Sequence, residues 1–563
     1  MNLIAMARIS SNQIYDYVIA GGGIAGLYTA RHLVKQFPKA KICILEASNR
    51  LGGRLHSIHL EPDSIIEAGG ARFNTQQHRI IALIRALGLD SKCIEIPSNS
   101  KYIPIHPNYD PQLETIFPEI DDIIQKLQSY IHRHKIPDTE LIETNLLELV
   151  HQVYSHQYPT IKKYLIARYP YYSELHSLNA LEGLSLFTNE FASKTKYFIL
   201  AGGLEQLISS ILKQLEQQST VDIHLNQPLE NITKYTNTNH ADTNYADTNH
   251  ADTSSIYTII SHGKKDIELR ANKIILALPQ SALLKIKYLT RVAPVRSLLN
   301  SIQPEPLYRI YARYPLDKKT GKVWFAEMPK IISNLPIKYI IPSNVEHGII
   351  MISYTDSRFA RYWINKLSAG DGVLERELSR QLKLLFPELK IPAPVWIKHY
   401  YWDMGAGYWK PGSSREKLMP QITQPLADED IYICNENYSS HQAWVEGSLE
   451  SADYVLAKLG VRVSVPRREK LVARGGGASK EKSKSKKWKA YTLEEVAKHK
   501  SKSDAWIAIN GRVADITKWI PQHPGGDIIM KGVGKDATKL FTSIGHDDYA
   551  RKMLKKYQIG ILV

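Results

Sequence analysis

The stretch Tyr15–Gly26 reads YDYVIAGGGIAG, an apolar run that passes directly into closely spaced glycines. Residues 15–20 have the pattern of a buried strand, and residues 27–37 have the spacing of a helix. Between them the glycines fall in the order G-x-G-x-x-G, which provides a tight turn, room for a pyrophosphate beside the backbone and close packing of helix on strand. The stretch therefore predicts a dinucleotide site formed by Gly21, Gly23, Ala25 and Gly26.

A second apolar run, residues 41–45, ends at Glu46, which lies 20 residues after Gly26. A carboxylate at this distance accepts hydrogen bonds from the ribose hydroxyls of a bound dinucleotide. The chain continues as EASNRLGGR over residues 46–54, a second glycine turn. This turn is expected to place Arg54 near the phosphates, because a guanidinium suits phosphate oxygens.

The segment 46–54 resembles the E-A-x-x-R-x-G-G-R signature of the flavin-containing amine oxidase superfamily, which includes monoamine, polyamine and L-amino-acid oxidases. Other stretches in the family's order extend the resemblance over residues 14–460: EAGGARF (67–73), AGGL (201–204), Leu229, IILALP (274–279), CNE (434–436) and WVEGS (444–448). The resemblance implies an α/β fold, in which a Rossmann-like FAD-binding domain joins a mixed-sheet substrate domain. It adds Gly70, Ala71, Arg72, Leu229 and Glu436 to the expected cofactor contacts.

The resemblance also implies the reaction, which is removal of hydride by FAD from the carbon next to an amine nitrogen. The FAD is expected to be non-covalent, because residues 405–412 hold no cysteine where monoamine oxidases carry their covalent link. Trp444 falls where the family places one wall of an aromatic cage around the amine; the alternative is a core tryptophan. The other wall is expected to hold a small residue. Either Tyr408 or Trp409 then supplies the missing aromatic face, or the pocket is wider than in monoamine oxidases.

Two arginines are the remaining catalytic candidates. Arg72 occupies the loop in which L-amino-acid oxidases bind the substrate carboxylate; the alternative is an arginine with a structural partner. Arg309 is aligned with the family's lysine near the flavin, which assists oxygen use in several relatives. Because arginine is a bulkier, permanent cation, the electron acceptor stays open between oxygen and another redox group.

Residues 490–563 hold a second set of motifs. They are a capping box at Thr492 and Glu495, an Asn510-Gly511 hairpin turn, HPGG at 523–526, GKDAT at 534–538 and His546. Together these motifs resemble cytochrome b5. The resemblance implies a small α+β domain in which His523 and His546 ligate the iron of haem b from both sides. Such double ligation suits one-electron transfer.

The predicted domain boundaries follow from these motifs. Residues 14–100, 200–290 and 420–460 form the FAD-binding domain, and residues 101–199 and 291–419 the substrate domain. Residues 464–489 form a flexible basic linker, with nuclear targeting or binding to an anionic surface as alternatives, and residues 490–563 the haem domain. The threefold pentapeptide at 239–253 is interpreted as an expanded polar hairpin tip, with metal binding by its histidines as the alternative.

Charge and composition argue against two features, a nucleic-acid partner and a disulfide framework. The chain of 563 residues has a net charge of +16, but residues 462–489 hold 11 Lys and Arg against 2 Glu, and residues 490–563 hold 12 against 8 acidic residues. The main body is therefore close to neutral, so no nucleic-acid partner is expected. Cys43, Cys93 and Cys434 are too few and too widely spaced for a disulfide framework.

The sequence lacks a recognisable signal peptide and any apolar run of about 18 residues. An intracellular, cytoplasmic location without an integral membrane segment is therefore expected. The function predicted is FAD-dependent oxidation of a small amine or L-amino acid, with electrons passed to the fused haem and then to a partner protein, or to oxygen. The alternatives are a catalytically altered flavoprotein that acts as a redox or binding module, and the same fold with polyamine oxidase or desaturase chemistry.

Overall fold

The computed structural model describes residues 13–60, 64–97, 100–105, 120–189, 195–236, 255–264, 266–463, 489–523, 526–543, 554 and 557–562. The chain divides into two compact units, Met1–Gly476 and Gly477–Val563. The repeated pentapeptide and residues 464–488 of the predicted linker lie outside the described residues. Within the described residues, no helix combines the length and the apolar character needed to cross a membrane.

The apolar run before Gly21 forms a central strand of a seven-stranded sheet. The strands along its path are Leu229–Thr236, Ser255–His262, Asp266–Leu276, Ile14–Ala20, Ile42–Glu46 and Val221–Leu225, and Ile431–Ile433 pairs with Asp266–Leu276. The first three strands pair antiparallel, and the other pairings are parallel. Ala20 is paired with both Leu45 and Leu276, and Leu276 with Ile433, so four parallel strands end at one edge. A crevice at this edge is the expected place for a ligand.

The parallel strands are buried on both faces of this sheet. Ile19, Ile42 and Ile44 pack under the helices Ile24–Gln36, Gln206–Leu215 and Val445–Lys458. Alternate residues, such as Val18 and Cys43, pack into a second core on the other face. Burial on both faces explains why these strands read as continuous apolar runs.

A six-stranded mixed sheet forms the second layer of the first unit. Its order is Trp396–Trp409, Ile302–Arg313, Ile349–Asp356, Tyr339–Asn344, Lys330–Ser333 and Ser100–Ile103, with only the last pair parallel. Tyr308, Ile310 and Ala312 pack against the helices Ser357–Ser368 and Val373–Leu385. Because side chains alternate along a strand, Arg309 and Tyr311 point to the opposite face.

A helical layer with its own apolar core joins these sheets. Its helices are Ile120–His134, Asp138–Glu143, Leu146–Tyr154, Tyr158–Arg168, Tyr172–His176 and Ala180–Asn189. The remaining described helices of the first unit are His78–Ala86, Gln280–Leu283, Lys287–Thr290, Ala293–Leu299 and Arg415–Thr423. Two small sheets complete it, one of Ser57–Leu60 with Ser64–Glu67 and one of Phe73–Asn74, Tyr197–Leu200 and Cys93–Ile96.

The second unit is a small α+β domain. Its sheet has the order Lys489–Tyr491, Gln558–Leu562, Arg512–Asp515, Asp504–Ile509 and Lys500–Ser501, and its described helices include Leu493–Lys498 and Thr538–Ser543. Asn510 and Gly511 both have positive φ, as the predicted two-residue hairpin turn requires. Both hydrogen bonds of the predicted capping box at Thr492 and Glu495 are present.

One predicted helix start needed a small correction. The first helix begins at Ile24, not Leu27, because Gly23 occupies its N-cap and the glycine turn passes straight into the helix. The last helix of the first unit begins at Val445, with Trp444 at its N-cap. Local patterns place helix ends only within a few residues.

Candidate active site

The glycine turn after Ile14–Ala20 leaves space at the edge where the four strands end. A Cβ atom on Gly21 would lie 2.4 Å from the carbonyl oxygen of Ala277, and Gly21 has φ +107°. A Cβ on Gly26 would lie 2.1 Å from Gly21 O, so this glycine permits close packing of the helix. Gly23 has no atom within 4 Å of such a Cβ and lines a cavity. The turn therefore has the room beside its backbone that a pyrophosphate needs.

The Glu46 carboxylate is held at the same cavity by backbone donors. Gly22 N donates to Oε2 at 2.9 Å, and Ser48 N donates to Oε1 at 2.9 Å. A carboxylate fixed in this way retains lone pairs for ribose hydroxyls. The structure thus brings Glu46 and the glycine turn to one edge, as the spacing predicts.

Glu436 provides a test of whether the cavity fits a cofactor. One of its oxygens, Oε1, accepts from Arg54 and, at 2.8 Å, from Asn437 Nδ2. The other, Oε2, is buried and has no hydrogen-bond partner among the described residues. Burial raises the pKa of Glu436, while Arg54 acts to lower it. Because buried polar oxygens are normally satisfied, an oxygen of this kind in a cavity wall fits a ligand that supplies a donor, such as the hydroxyl-rich chain of FAD.

The cavity has a volume of about 610 Å³, within the range of ligand pockets. Its lining includes Gly21, Gly23, Ala25, Glu46, Arg54, Gly70, Ala71, Arg72, Leu229, Arg309, Glu436 and Trp444. Of the cofactor and catalytic residues predicted for the first unit, only Gly26 is not in this lining, because it serves the packing of helix on strand. The structure thus gathers the predicted residues around one space.

Arg72 lies among aromatic side chains at this cavity. Its Nη2 donates to the Tyr171 hydroxyl at 2.9 Å, and its guanidinium carbon is 5.1 Å from the centre of the Tyr197 ring and 5.7 Å from that of Trp444. The Tyr197 and Trp444 rings stack with centroids 6.4 Å apart. Among the described residues, no carboxylate lies within ion-pair distance of Arg72. Burial acts to lower the pKa of Arg72, and nearby tyrosines, of which Tyr171 acts most strongly, raise it.

Arg309 is buried, and it links the second sheet to the loop that carries Arg72. Its Nη1 donates to Glu67 O at 2.8 Å, and its guanidinium carbon lies 4.5 Å from the centre of the Tyr354 ring. Tyr311, on the same face of the strand, also donates to Glu67 O, at 2.9 Å. Arg309 is therefore fixed in orientation where it borders the cavity.

Of the two aromatic residues proposed for the second wall, Tyr408 faces the cavity and Trp409 does not. Ala406 is small and buried, and Tyr408 lines the cavity. Trp409, by contrast, is 1% exposed and donates its indole N–H to Ser439 O at 2.8 Å inside the core. Sequence reasoning missed Trp402, whose side chain borders the cavity and donates to Ala68 O at 2.7 Å.

Three further lining residues were not predicted. Tyr171 and Glu174 come from the helical layer, and Tyr354 comes from the second sheet. The only signal in the sequence is a tyrosine-rich stretch, YPYYSE at 169–174, in a chain with 32 Tyr and only 10 Phe. A stretch of this kind does not reveal which distant loop it meets.

In the second unit, His523 follows a short 3-10 turn, Ile520–Gln522. Its Nδ1 is 3.1 Å from Gly526 O. A proton on Nδ1 would serve this hydrogen bond and leave the lone pair on Nε2, the usual arrangement of a metal-ligating histidine. The donor chemistry of this histidine therefore fits a haem ligand, whereas His546 lies outside the described residues.

Two family models match the chain. The model described as flavin containing amine oxidoreductase covers residues 24–455. The model described as cytochrome b5-like heme/steroid binding domain covers residues 492–563. Together they confirm the two resemblances inferred from the sequence.

Similar proteins extend this result. An uncharacterized protein of Acanthamoeba polyphaga mimivirus is 24% identical over 507 residues, 79% of this chain and 93% of that protein. Cytochrome b5 of Rhizopus stolonifer is 51% identical over 75 residues, 13% of this chain and 57% of that cytochrome. A solved structure of a putrescine oxidase triple mutant from a redesign of cofactor binding has a TM-score of 0.59 at 16% identity, and the match covers 80% of this chain and 99% of that one. At that identity the likeness shows the fold alone.

The fold class is confirmed, with an FAD-binding amine oxidase fold joined to a cytochrome b5 domain. The cofactors are FAD and haem, which these two families bind. Because the first family model covers most of the chain, the protein belongs to the flavin containing amine oxidoreductase family, as an FAD-dependent oxidoreductase with a cytochrome b5-like domain on the same polypeptide.

Proposed function

We propose that the first unit oxidises an α-amino acid at the carbon that bears the amine, and that Arg72 binds the substrate carboxylate. One observation carries the proposal. The Arg72 guanidinium borders the cavity, has aromatic neighbours and forms no ion pair with a carboxylate of the described residues. A partly buried charge without an opposite charge is costly, and a planar guanidinium matches a carboxylate with two parallel hydrogen bonds.

Trp444 and Tyr408 then border the amine end of the substrate. Both line the cavity, as does Trp402. Aromatic walls exclude water and disfavour the charged form of an amine. They therefore favour the neutral amine, whose nitrogen lone pair is needed for oxidation.

FAD, when bound, would supply a two-electron acceptor for hydride from the substrate carbon. The carbon–hydrogen bond would break with its electron pair, the nitrogen lone pair would form the carbon–nitrogen double bond, and the resulting cation would release a proton to give an imino acid. Water then converts the imino acid to an oxo acid and ammonia. Arg72 keeps the reacting carbon in one orientation throughout, because it holds the carboxylate attached to that carbon.

Electrons are proposed to leave the first unit for the haem of the second. Two features support this: a haem-binding domain shares the polypeptide, and Arg309 stands where several relatives have the lysine that assists oxygen use. The Arg309 guanidinium is committed to Glu67 O and to the Tyr354 ring. A partner protein or oxygen then serves as the final acceptor.

The proposal is tested by anaerobic mixing of the FAD-loaded protein with L-amino acids, monoamines, diamines and polyamines, while flavin absorbance is followed. We expect bleaching by amino acids and little by amines that lack a carboxylate. Arg72→Met is expected to raise the KM for an amino acid by about 100-fold, because the bond to a charged partner is lost. Arg168→Lys is the matched control, since Arg168 also stacks on a tyrosine, 4.8 Å from the centre of Tyr102, but is not in the cavity lining.

Other outcomes contradict the proposal in distinct ways. Bleaching by polyamines or monoamines with no response to amino acids would replace it with polyamine or monoamine oxidation. An FAD-loaded protein that no compound bleaches would favour a redox or binding module. An unchanged KM in Arg72→Met would remove the role of Arg72 alone.

A further inference from the structure

Two side chains of one strand donate hydrogen bonds to the same backbone carbonyl beside the cavity. Arg309 Nη1 and the Tyr311 hydroxyl, both from Ile302–Arg313, donate to Glu67 O at 2.8 and 2.9 Å. Arg309 is 7% exposed and Tyr311 2%. A carbonyl oxygen has two lone pairs, so the two donors use both. Residues 68–72, which follow this carbonyl directly, line the cavity.

The segment 68–72 is also held by neighbours outside that strand. Trp402 Nε1 donates to Ala68 O at 2.7 Å, and the backbone N–H of the second glycine, Gly70, donates to Arg54 O at 2.8 Å. A Cβ atom on the first glycine would lie 1.8 Å from the same oxygen, so backbone packs on backbone here. Supporting contacts of this kind set the geometry of binding residues.

Arg309 has the shape that such a contact needs. Its guanidinium lies over the Tyr354 ring, 4.5 Å from the ring centre, while Nη1 donates to Glu67 O. A planar guanidinium can stack on an aromatic ring and donate from its edge at the same time, whereas a lysine ammonium is a point charge without a plane. The geometry therefore explains an arginine at this position through the backbone that it holds.

We propose that Arg309 and Tyr311 are positioning residues that act together as one anchor. They hold Glu67 O and thereby place the cavity segment that ends in Arg72. Either donor can serve the carbonyl by itself, so the anchor is lost only when both are removed. The part of this inference that concerns Arg72 rests on the proposed function, and the reaction itself is unchanged.

A double-mutant cycle in the full-length, FAD-loaded protein tests the anchor. Arg309→Met and Tyr311→Phe each remove one donor, and the double variant leaves Glu67 O with neither. We expect the rise in KM for an L-amino acid in the double variant to exceed the product of the two single effects by about 10-fold or more, because residues that share one partner are coupled. The coupling should be larger in KM than in kcat, since the anchor acts through binding of the substrate carboxylate.

Tyr308→Phe provides the matched control for this cycle. Tyr308 is next to Arg309 but packs in the core, and its hydroxyl has no hydrogen-bond partner among the described residues. Arg309→Met with Tyr308→Phe should therefore show only the product of the single effects. The same simple product for Arg309→Met with Tyr311→Phe would overturn the anchor, because a charge that acts directly on cofactor or substrate is lost equally in both backgrounds.

FAD titration separates positioning from folding. A role in folding alone would lower the FAD content of the double variant and leave the KM of its FAD-loaded fraction unchanged, which would overturn the inference. If Arg309→Met with Tyr311→Phe retains no FAD, Trp402→Phe with Tyr311→Phe takes its place, since Trp402 holds the next carbonyl of the segment. Coupling of the same sign is expected there, and a simple product would again overturn the anchor.

The Arg72→Met background distinguishes this inference from the proposed function. The coupling between Arg309 and Tyr311 should disappear in that background, because Arg72 is the group that the anchor places, and coupling that persists would overturn this link. If an amine bleaches the flavin and no amino acid does, the proposed function fails. The cycle measured with that amine then decides the anchor of the segment by itself, with coupling in its favour and a simple product against it.

Discussion

At the scale of single residues, the predictable part of the site is the part that is local in sequence. Gly21, Gly23 and Glu46 lie within one strand–helix–strand unit, so their spacing alone indicates their neighbourhood. Glu174 and Trp402 reach the cavity from distant segments, and nothing in the residues beside them reports that contact. Trp409 is local in sequence to the predicted cage, but its indole N–H donates a hydrogen bond to Ser439 O in the core instead of facing the cavity.

Glu436 gives a prediction at this scale. Its Oε2 is buried at the cavity without a hydrogen-bond partner among the described residues, and its Oε1 pairs with Arg54. Glu436→Gln is expected to raise the dissociation constant of FAD by about 10- to 100-fold, the effect of losing a hydrogen bond to a charged acceptor. Titration of deflavinated protein with FAD measures it. Glu416→Gln, at an exposed position, is the control, and equal titrations of the two variants would contradict the role of Glu436.

At the scale of elements, strands were predictable where the pattern is set by burial. The run before Gly21 is apolar throughout because both faces of the parallel sheet are covered. In Ile302–Arg313 the alternate residues face different surroundings, with Ile310 in the core and Arg309 at the cavity. The helical layer was harder to predict, because its short helices are held by side chains of the second sheet such as Asp356 and Lys338.

The contact of Lys338 with the helical layer gives a prediction at this scale. Lys338 is fully buried, and burial lowers its pKa from 10.5 to about 7, although Asp356 acts to raise it. Between pH 10.5 and 7 the unfolded chain therefore binds more protons at this lysine than the folded one does. Stability contributed by this group must fall as the pH is lowered through that window and stay level below it.

The measurement compares the wild-type chain with Lys338→Met across this range. We expect the variant to gain stability relative to wild type as the pH falls from 10.5 to 7, on the order of a few kcal/mol, because each unit of pKa shift corresponds to about 1.4 kcal/mol. Unfolding of the first unit is monitored through the release of bound FAD. Lys383→Met, at an exposed site, should show no such trend, and parallel curves for wild type and Lys338→Met would refute the assignment.

At the scale of the whole molecule, composition predicts a basic, apolar-poor linker at residues 464–489 between two folded regions. The family matches end at residue 455 and resume at residue 492. Residues 464–489 are predicted from the sequence to be a flexible linker, and a flexible chain of 26 residues spans about 28 Å on average. Such a linker is expected to give the two units an effective concentration on the order of millimolar.

Haem reduction by substrate is the prediction that belongs to the intact chain. An L-amino acid, added without oxygen to protein that carries FAD and haem, is expected to reduce the haem at a rate that does not change on tenfold dilution, because the predicted linker keeps both cofactors on one chain. Each substrate molecule delivers two electrons to the FAD of one chain and the haem of that chain accepts one of them, so full haem reduction within each chain needs one equivalent of substrate, with the second electron left on the flavin. Absorbance of the haem is followed. His523→Ala, which lacks one predicted iron ligand, should show flavin bleaching with impaired haem reduction. A rate that falls in proportion to dilution would mean transfer between separate molecules, and bleached flavin beside oxidised haem in the wild type would refute the coupling.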